Sequence, residues 1–419
     1  MKYQERLTRP LTLSCSVAML ALAPGMASAL DAIQVGDWQV EFSGNVNGFA
    51  TFVDCDNKSG GAVVAGGLAC GSLDTTDRKF NDIRTGLLPS WLGFHANTEV
   101  NGLKTGITIG FQPGIDSNFA IAGAPIDGGL GLNSANFRQV FIDFGSDWGT
   151  IKIGRDLGIF GSDAILSDMT LLGVGTVSDL TQGGGNTSLG RIGVGYMYAD
   201  WKGQIRYTSP DFSGLTFSVA VVDPWGAVNL TGESLDAGTY GQKGDTFGYE
   251  GALSYAWEGD FSGKAWASFI TQKLDSFTMG SETATGFDVG AKVGFAGFEL
   301  VAYYYSGDGI GTTDFLFDAL DLGANKRDSD GGYIQATYKL PGGGTKFGLS
   351  FGESNLDRGP ADLASSPLLK TNESFIFGVY HPLTPALNLV AEYTATESTA
   401  HNGAKAEESV IAIGAILFF

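Results

Sequence analysis

Apolar and polar residues alternate along most of the chain with a period of two, the pattern of strands that turn one face to an apolar surrounding. Leu215, Phe217, Val219 and Val221 share one face; Phe287, Val289, Ala291 and Val293 alternate with Asp288 and Lys292. Ile411, Ile413, Ala415, Leu417 and Phe419 line one side of the final segment. The same rhythm predicts strands over 38–53, 91–100, 103–111, 138–144, 150–154, 196–207, 215–221 and 247–257. It predicts eight more over 261–271, 287–294, 298–304, 333–339, 347–351, 375–379, 387–393 and 411–419, sixteen in all. Segment 74–84, charged on both faces, reads as part of a connection. Connections alternate between tight turns, such as Asn101-Gly102 and Glu258-Gly259-Asp260, and loops of roughly ten to thirty residues.

One apolar face on nearly every strand, with short turns at one end and long loops at the other, predicts an all-β protein: a 16-stranded antiparallel transmembrane β-barrel with short periplasmic turns and long external loops. Closure follows because hydrocarbon offers no partner to a free sheet edge. Aromatics near strand ends (Trp38, Trp91, Trp257, Tyr303 to Tyr305, Tyr380, Tyr393) suit the lipid headgroup level. A barrel of this size leaves an aqueous lumen. The inward positions, Asp288, Lys292, Gln335, Thr337, Lys339, Asn388 and Glu392, read as water-facing.

The alternation stops over 156–189. Asp156, Asp163, Asp168 and Asp179 stand there among glycines, leucines and hydroxyl residues, with Arg155 before and Arg191 after. Ile159-Phe160 and Ile165-Leu166 make the stretch too apolar for a solvated tail. A long unpaired segment of this kind calls for a functional reason. It predicts a loop that folds into the channel and narrows it.

Composition and the chain ends add compartment and exclusions. Lys2, Arg6 and Arg9, an apolar run over 11–22 and Ala27-Ser28-Ala29 predict a cleaved signal peptide over 1–29, leaving 30–419 as one barrel domain. Forty-five acidic against 25 basic residues argue against nucleic acid as a partner. In an exported chain Cys55 and Cys70 read as a local disulfide; a metal pair, with no His or Cys nearby to complete it, and free thiols are the rivals. His95, His381 and His401 lie apart from any Ser or carboxylate constellation, so no enzyme is expected. The Asp-rich stretch 308–330 does not match a calcium loop, and Gly183-Gly184-Gly185-Asn186 lacks the ending of a phosphate loop. No metal or cofactor is expected.

Leu92-Gly93-Phe94 with Gly102-Leu103, and Phe144-Gly145 through Trp148-Gly149-Thr150 to Gly154-Arg155, stand in the order and spacing of a known family. So do the run from Arg206-Tyr207-Thr208-Ser209 to Gly214-Leu215 and the terminal Phe419. Together they resemble the general porins of Gram-negative outer membranes over essentially the whole mature chain. The resemblance implies a homotrimer, an inward-folded third loop, and passive diffusion of small hydrophilic solutes and ions. It also implies a setting in outer-membrane lipid and lipopolysaccharide. It places acidic loop residues, Asp163, Asp168 and Asp179, opposite basic wall residues, Arg155, Lys202, Arg206, Arg191 and Arg84, with Arg138 a further candidate. It makes Phe419 a signal for the barrel-assembly machinery. Trp91 stands where better-known members carry a wall arginine, and Ser167-Asp168-Met169-Thr170 replaces their proline-containing loop turn. Parity from Ile151 and Ile153 aims Arg155 at lipid unless a bulge intervenes. The alternative to general diffusion is a channel selective for one nutrient class; a third reading is a barrel for adhesion or envelope structure.

Overall fold

Where every second residue meets lipid, backbone polar groups must pair with neighbouring strands, and the chain solves this with one continuous antiparallel sheet. The computed structural model describes residues 32–60, 62–71, 77–115, 137–177, 187–227, 246–276 and 280–419; the signal segment and Asp179 lie outside them. The first half of the wall is β1 (Ile33–Val35), β2 (Trp38–Asp56), β3 (Arg78–Arg84), β4 (Trp91–Val100), β5 (Leu103–Phe111), β6 (Gln139–Ser146), β7 (Gly149–Leu157), β8 (Trp201–Thr208) and β9 (Leu215–Val222). The second half is β10 (Gly248–Trp257), β11 (Ser262–Ser276), β12 (Gly280–Phe295), β13 (Phe298–Asp308), β14 (Asp328–Lys339), β15 (Lys346–Leu356), β16 (Leu369–Pro382), β17 (Leu387–Ala400) and β18 (Lys405–Phe418). Between β7 and β8 lie a short helix, α1 (Ser162–Ser167), and a 3₁₀ turn, Met169–Leu172.

Apart from β3 and β4, which both pair β2, neighbours in sequence pair along the wall, and β18 pairs β2 from Phe418↔Asn45 to Glu407↔Asp56, which closes the barrel. One stave is split. The upper half of β2 pairs β3 (Phe49↔Arg84 to Cys55↔Arg78) and its lower half pairs β4 (Gln39↔Asn97 to Asn45↔Trp91). β1 is a three-residue hairpin arm on the lower end of β2. Counting β3 and β4 as one stave gives sixteen.

Five sequence expectations change. Arg78–Arg84 is a strand, hidden because Lys79 and Asp82 put charge on opposite faces. Strand β8 begins at Trp201, and 196–200 belongs to the preceding loop. Two connections on the long-loop side are short, 277–279 and 401–404, because β11, β12, β17 and β18 run taller than their apolar belts. Tyr303, Tyr305 and Tyr380 are buried inside the barrel and Trp91 also points into it, whereas Tyr304 and Tyr393 face outward. Outward positions such as Phe287, Leu300, Ile334 and Ile413 are exposed in a band suited to lipid. The inner face is not uniformly polar: Trp266, Ile270, Tyr303 and Tyr333 point inward and are covered by loops.

Cys55 and Cys70 form a disulfide that holds residues 62–71 against the inner wall. There Ser398 Oγ accepts the Leu68 and Ala69 N–H groups at 2.9 Å, and Glu408 accepts that of Cys70 at 3.1 Å.

Candidate functional site: a crossbar in the lumen

Residues 158–177 leave the top of β7 and cross the lumen, and residues 187–200 return to β8. Their backbone donors meet inward side chains one stave after another. Glu250 of β10 accepts the N–H groups of Ile159 and Phe160. Asp288 of β12 accepts that of Gly161 at 3.0 Å. Gln335 of β14 accepts the Met169 N–H at 2.8 Å and donates to Ser167 O at 3.0 Å. Glu392 of β17 accepts the N–H groups of Val174 and Gly175 at 2.7 and 2.8 Å. The far end meets the gap in the split stave, where Leu87 N–H donates to Gly173 O at 2.9 Å and Ser188 N–H to Gly86 O at 3.1 Å. A Cβ on Gly86 would lie 2.2 Å from Gly173 O, so the approach requires glycine.

Apolar packing fills the rest. Phe160, Ile165 and Met197 pack with Trp266, Tyr303 and Tyr333 and with Phe315 and Leu316 of residues 309–327. Met169 and Val174 pack with Phe49, Ile376 and Tyr380. Each buried side chain of this size contributes about 1.5–3 kcal/mol, and each hydrogen bond to a charged group about 1.5–3 kcal/mol. Several of each hold the crossbar many times above thermal energy.

The expected site residues separate. Asp163 pairs with Lys264 of β11. Asp168 turns into the loop: it accepts from Thr170 N–H at 2.9 Å, from Thr170 Oγ1 at 2.6 Å and from Tyr196 OH at 2.8 Å. Arg191 is fully buried and donates to Ser374 O at 3.3 Å and Val194 O at 3.2 Å, with Asp168 offsetting its charge. Arg84 donates to Thr187 O at 3.3 Å and ties down the returning limb. Lys202 is buried against Glu250. Arg206 faces inward and donates to Ser218 Oγ at 3.2 Å. Arg155 pairs across Val140 and Gly203 with no shift in register, but Gly154 before it takes a φ of +137°, and the Arg155 guanidinium, its Nε buried, lies close enough to Asp200 of the loop to favour that carboxylate's ionised form. Inward on β7 are Lys152 and Asp156, which pair with each other. Sequence reading missed Lys264 and the clamps Glu250, Asp288, Gln335 and Glu392. Their parity marked them as inward, but nothing local marks a lumen-facing carboxylate as a loop anchor rather than a water-facing one.

The charge on the connecting segments is also unequal. Burial, with the nearby Asp200, holds the Asp314 carboxyl well above its ordinary range, and burial raises Asp200 as well. In the segment 357–368, burial pushes Asp362 up, but two hydrogen bonds from Arg327, at 2.6 and 2.7 Å, outweigh it and leave that carboxyl below the usual range.

A closed barrel of sixteen staves with a crossbar anchored across its lumen defines a membrane channel. A family model for Gram-negative porins matches residues 16–401, and the chain belongs to that family. It is an outer-membrane β-barrel for passive diffusion. Among solved structures it is similar to the outer-membrane channel DcaP of Acinetobacter baumannii (TM-score 0.66, 17% identity, covering 93% of this chain and 100% of that one). It is also similar to an anion-selective porin from Comamonas acidovorans (TM-score 0.59, 14% identity, 91% and 100%). OmpF of Salmonella typhi, in a complex with daunomycin, gives a TM-score of 0.55 at 16% identity, covering 93% and 100%. At these identities the likeness is one of fold. No curated protein matches in sequence.

Proposed function

We propose that this porin passes small hydrophilic solutes and ions through a lumen that favours anions, and that it does so as a homotrimer. The carrying observation is the inner face: Lys152, Arg206, Lys264, Lys292 and Lys346 all point inward, on β7, β8, β11, β12 and β15. Lys264 and Lys292 stand directly opposite each other. Asp156 and Asp163 take two of these lysines, and Asp288 and Glu392 are engaged by loop N–H groups. Arg206, Lys292 and Lys346 then face inward, with Asp156, Glu250 and Asp163 near Arg206 and with Glu299, Asp168 and Glu392 near Lys346. Charge clusters lining a pore set its ion preference.

Part of the acidic total of the chain lies elsewhere. Asp56, Glu407, Glu397, Glu373 and Glu353 sit opposite one another across β2, β18, β17, β16 and β15 on the outer face near the loop end. A net charge of −20 therefore does not describe the pore. That a neighbour in fold is named anion-selective agrees with this reading. The trimer, lipopolysaccharide as a neighbour, and recognition of Phe419 by the assembly machinery rest on the family likeness. The reading includes no catalytic role: His95 meets Trp91 and Thr108, His381 meets Thr345, and His401 meets Leu356 O.

Reversal potential in a potassium chloride gradient across a planar bilayer tests the anion preference. The expected sign is that of chloride flux; a cation sign overturns it. Crosslinking in detergent that yields only monomer overturns the trimer.

A further inference from the structure

We infer that the space between the crossbar and the β4–β6 wall is a binding slot for neutral, planar aromatic solutes with an amide-like head. This goes beyond the ion preference proposed above and does not depend on its sign. One side of the slot is flat. Gly93 of β4 and Gly110 of β5 pair directly, and the Trp91 indole lies over both. A Cβ on Gly93 would come within 2.2 Å of Trp91 Cζ2, and one on Gly110 within 2.5 Å of Trp91 Nε1, so glycine at both positions lets the ring lie against the wall. Leu166 and Leu171 of the crossbar, both half-buried, line the space with this ring, and Leu157, Ile165 and Ile192 extend the apolar side. His95 stands next to the indole, ring centroids 5.6 Å apart, and is held through Nδ1 to Thr108 Oγ1 at 3.1 Å. Its Nε2 has no partner among the described residues and is placed to meet a polar head. Arg138 is the one charged side chain lining the slot among the described residues. It has an interaction of its own, and Asp200 of the crossbar lies within electrostatic reach of it. No free cation is thus left there for an anion.

Apolar walls with a few convergent polar groups mark a small-molecule site. A flat ring stacks on an indole face and displaces water that keeps few hydrogen bonds there. A polyol would bury hydroxyls against leucine and isoleucine without partners. A carboxylate would give up its water where the neighbouring guanidinium is already engaged. The slot thus sorts solutes of one size by flatness and charge, which the lysines elsewhere in the lumen cannot do.

Nicotinamide, erythritol of the same molecular mass, and nicotinate are the probes, applied to the full-length porin in planar bilayers. Potassium chloride at about 1 M screens the field of the lumen beyond about 3 Å. Nicotinamide is expected to reduce the channel current saturably, and erythritol at equal concentration is not. Nicotinate is expected to block roughly tenfold more weakly than nicotinamide. Leu166→Asn, on the partly exposed face of α1, is expected to weaken the nicotinamide block roughly tenfold, equivalent to about 1.4 kcal/mol. Trp91→Leu is expected to abolish it; should that variant fail to fold, the probe comparison and Leu166→Asn decide. Equal behaviour of nicotinamide and erythritol, or a nicotinamide block unchanged by Leu166→Asn, overturns the slot. Nicotinate blocking as tightly as nicotinamide overturns the neutral class. The reversal potential, read without solute, tests the ion preference separately.

Discussion

Single residues decide whether the crossbar stays docked. Glu392 receives two loop N–H groups and the Tyr380 hydroxyl, the latter at 2.7 Å. Hydrogen bonds to a charged group contribute about 1.5–3 kcal/mol each. Glu392→Ala is therefore expected to loosen residues 174–190 and raise open-channel current noise, while the barrel's melting temperature stays near that of the parent. Limited proteolysis with bilayer recording checks this; unchanged noise with unchanged cleavage would mean that Glu392 is not an anchor.

Asp314 gives a pH dependence of known sign. Its carboxyl is held well above the ordinary 3.8, by burial first and Asp200 second. The ionised form is thus disfavoured where 309–327 packs on 158–200. That packing is strongest below about pH 4 and weakens as pH rises toward the raised value. Hydrogen exchange over 309–327, corrected for its intrinsic pH dependence, should quicken from pH 5 to pH 8, and Asp314→Asn should flatten the trend. A slope that persists in the variant assigns the effect to another group.

At the scale of elements, the strands were legible wherever lipid demanded an apolar face, as from Phe287 to Val293. The split stave was not, because Arg78–Arg84 lies where both faces carry polar groups. The inward turn of Tyr303 and Tyr305 was legible from the parity of Leu300 and Tyr304, yet aromatic content near a strand end outweighed it. The crossbar's existence followed from its broken alternation. Its partners did not, since they lie up to 218 residues away in sequence. The disulfide was legible from two cysteines and an exported chain. It closes a loop of 15 residues, for which constraint of the unfolded state contributes about 3 kcal/mol. Reduction is expected to expose residues 57–71 to protease while conductance stays unchanged, because that segment lies against β16–β18 and not against the β4–β6 wall. A conductance change on reduction would place it in the permeation path.

At the scale of the molecule, carboxylates lie on the outer face near the loop end, and cations and loop anchors lie inside. Like charges directly opposite on neighbouring strands destabilise a sheet. The outer row is partly offset by Lys58 beside Asp56 and Glu407, and by Lys405 beside Glu397. The net charge of the whole chain is therefore no guide to the sign of the pore, because it sums two surfaces that never face the same solute.

The gap between β3 and β4 also has a meaning in time. The crossbar is made early in the chain, yet its anchors are spread over β10, β12, β14 and β17 and over residues 86–87. Most of those staves are synthesised long after it, and the lumen they surround exists only once β18 has met β2. Contacts of such long sequence separation form late. The narrowing of the pore is therefore expected to come last in assembly, since the anchors of a docked crossbar span the ring behind it.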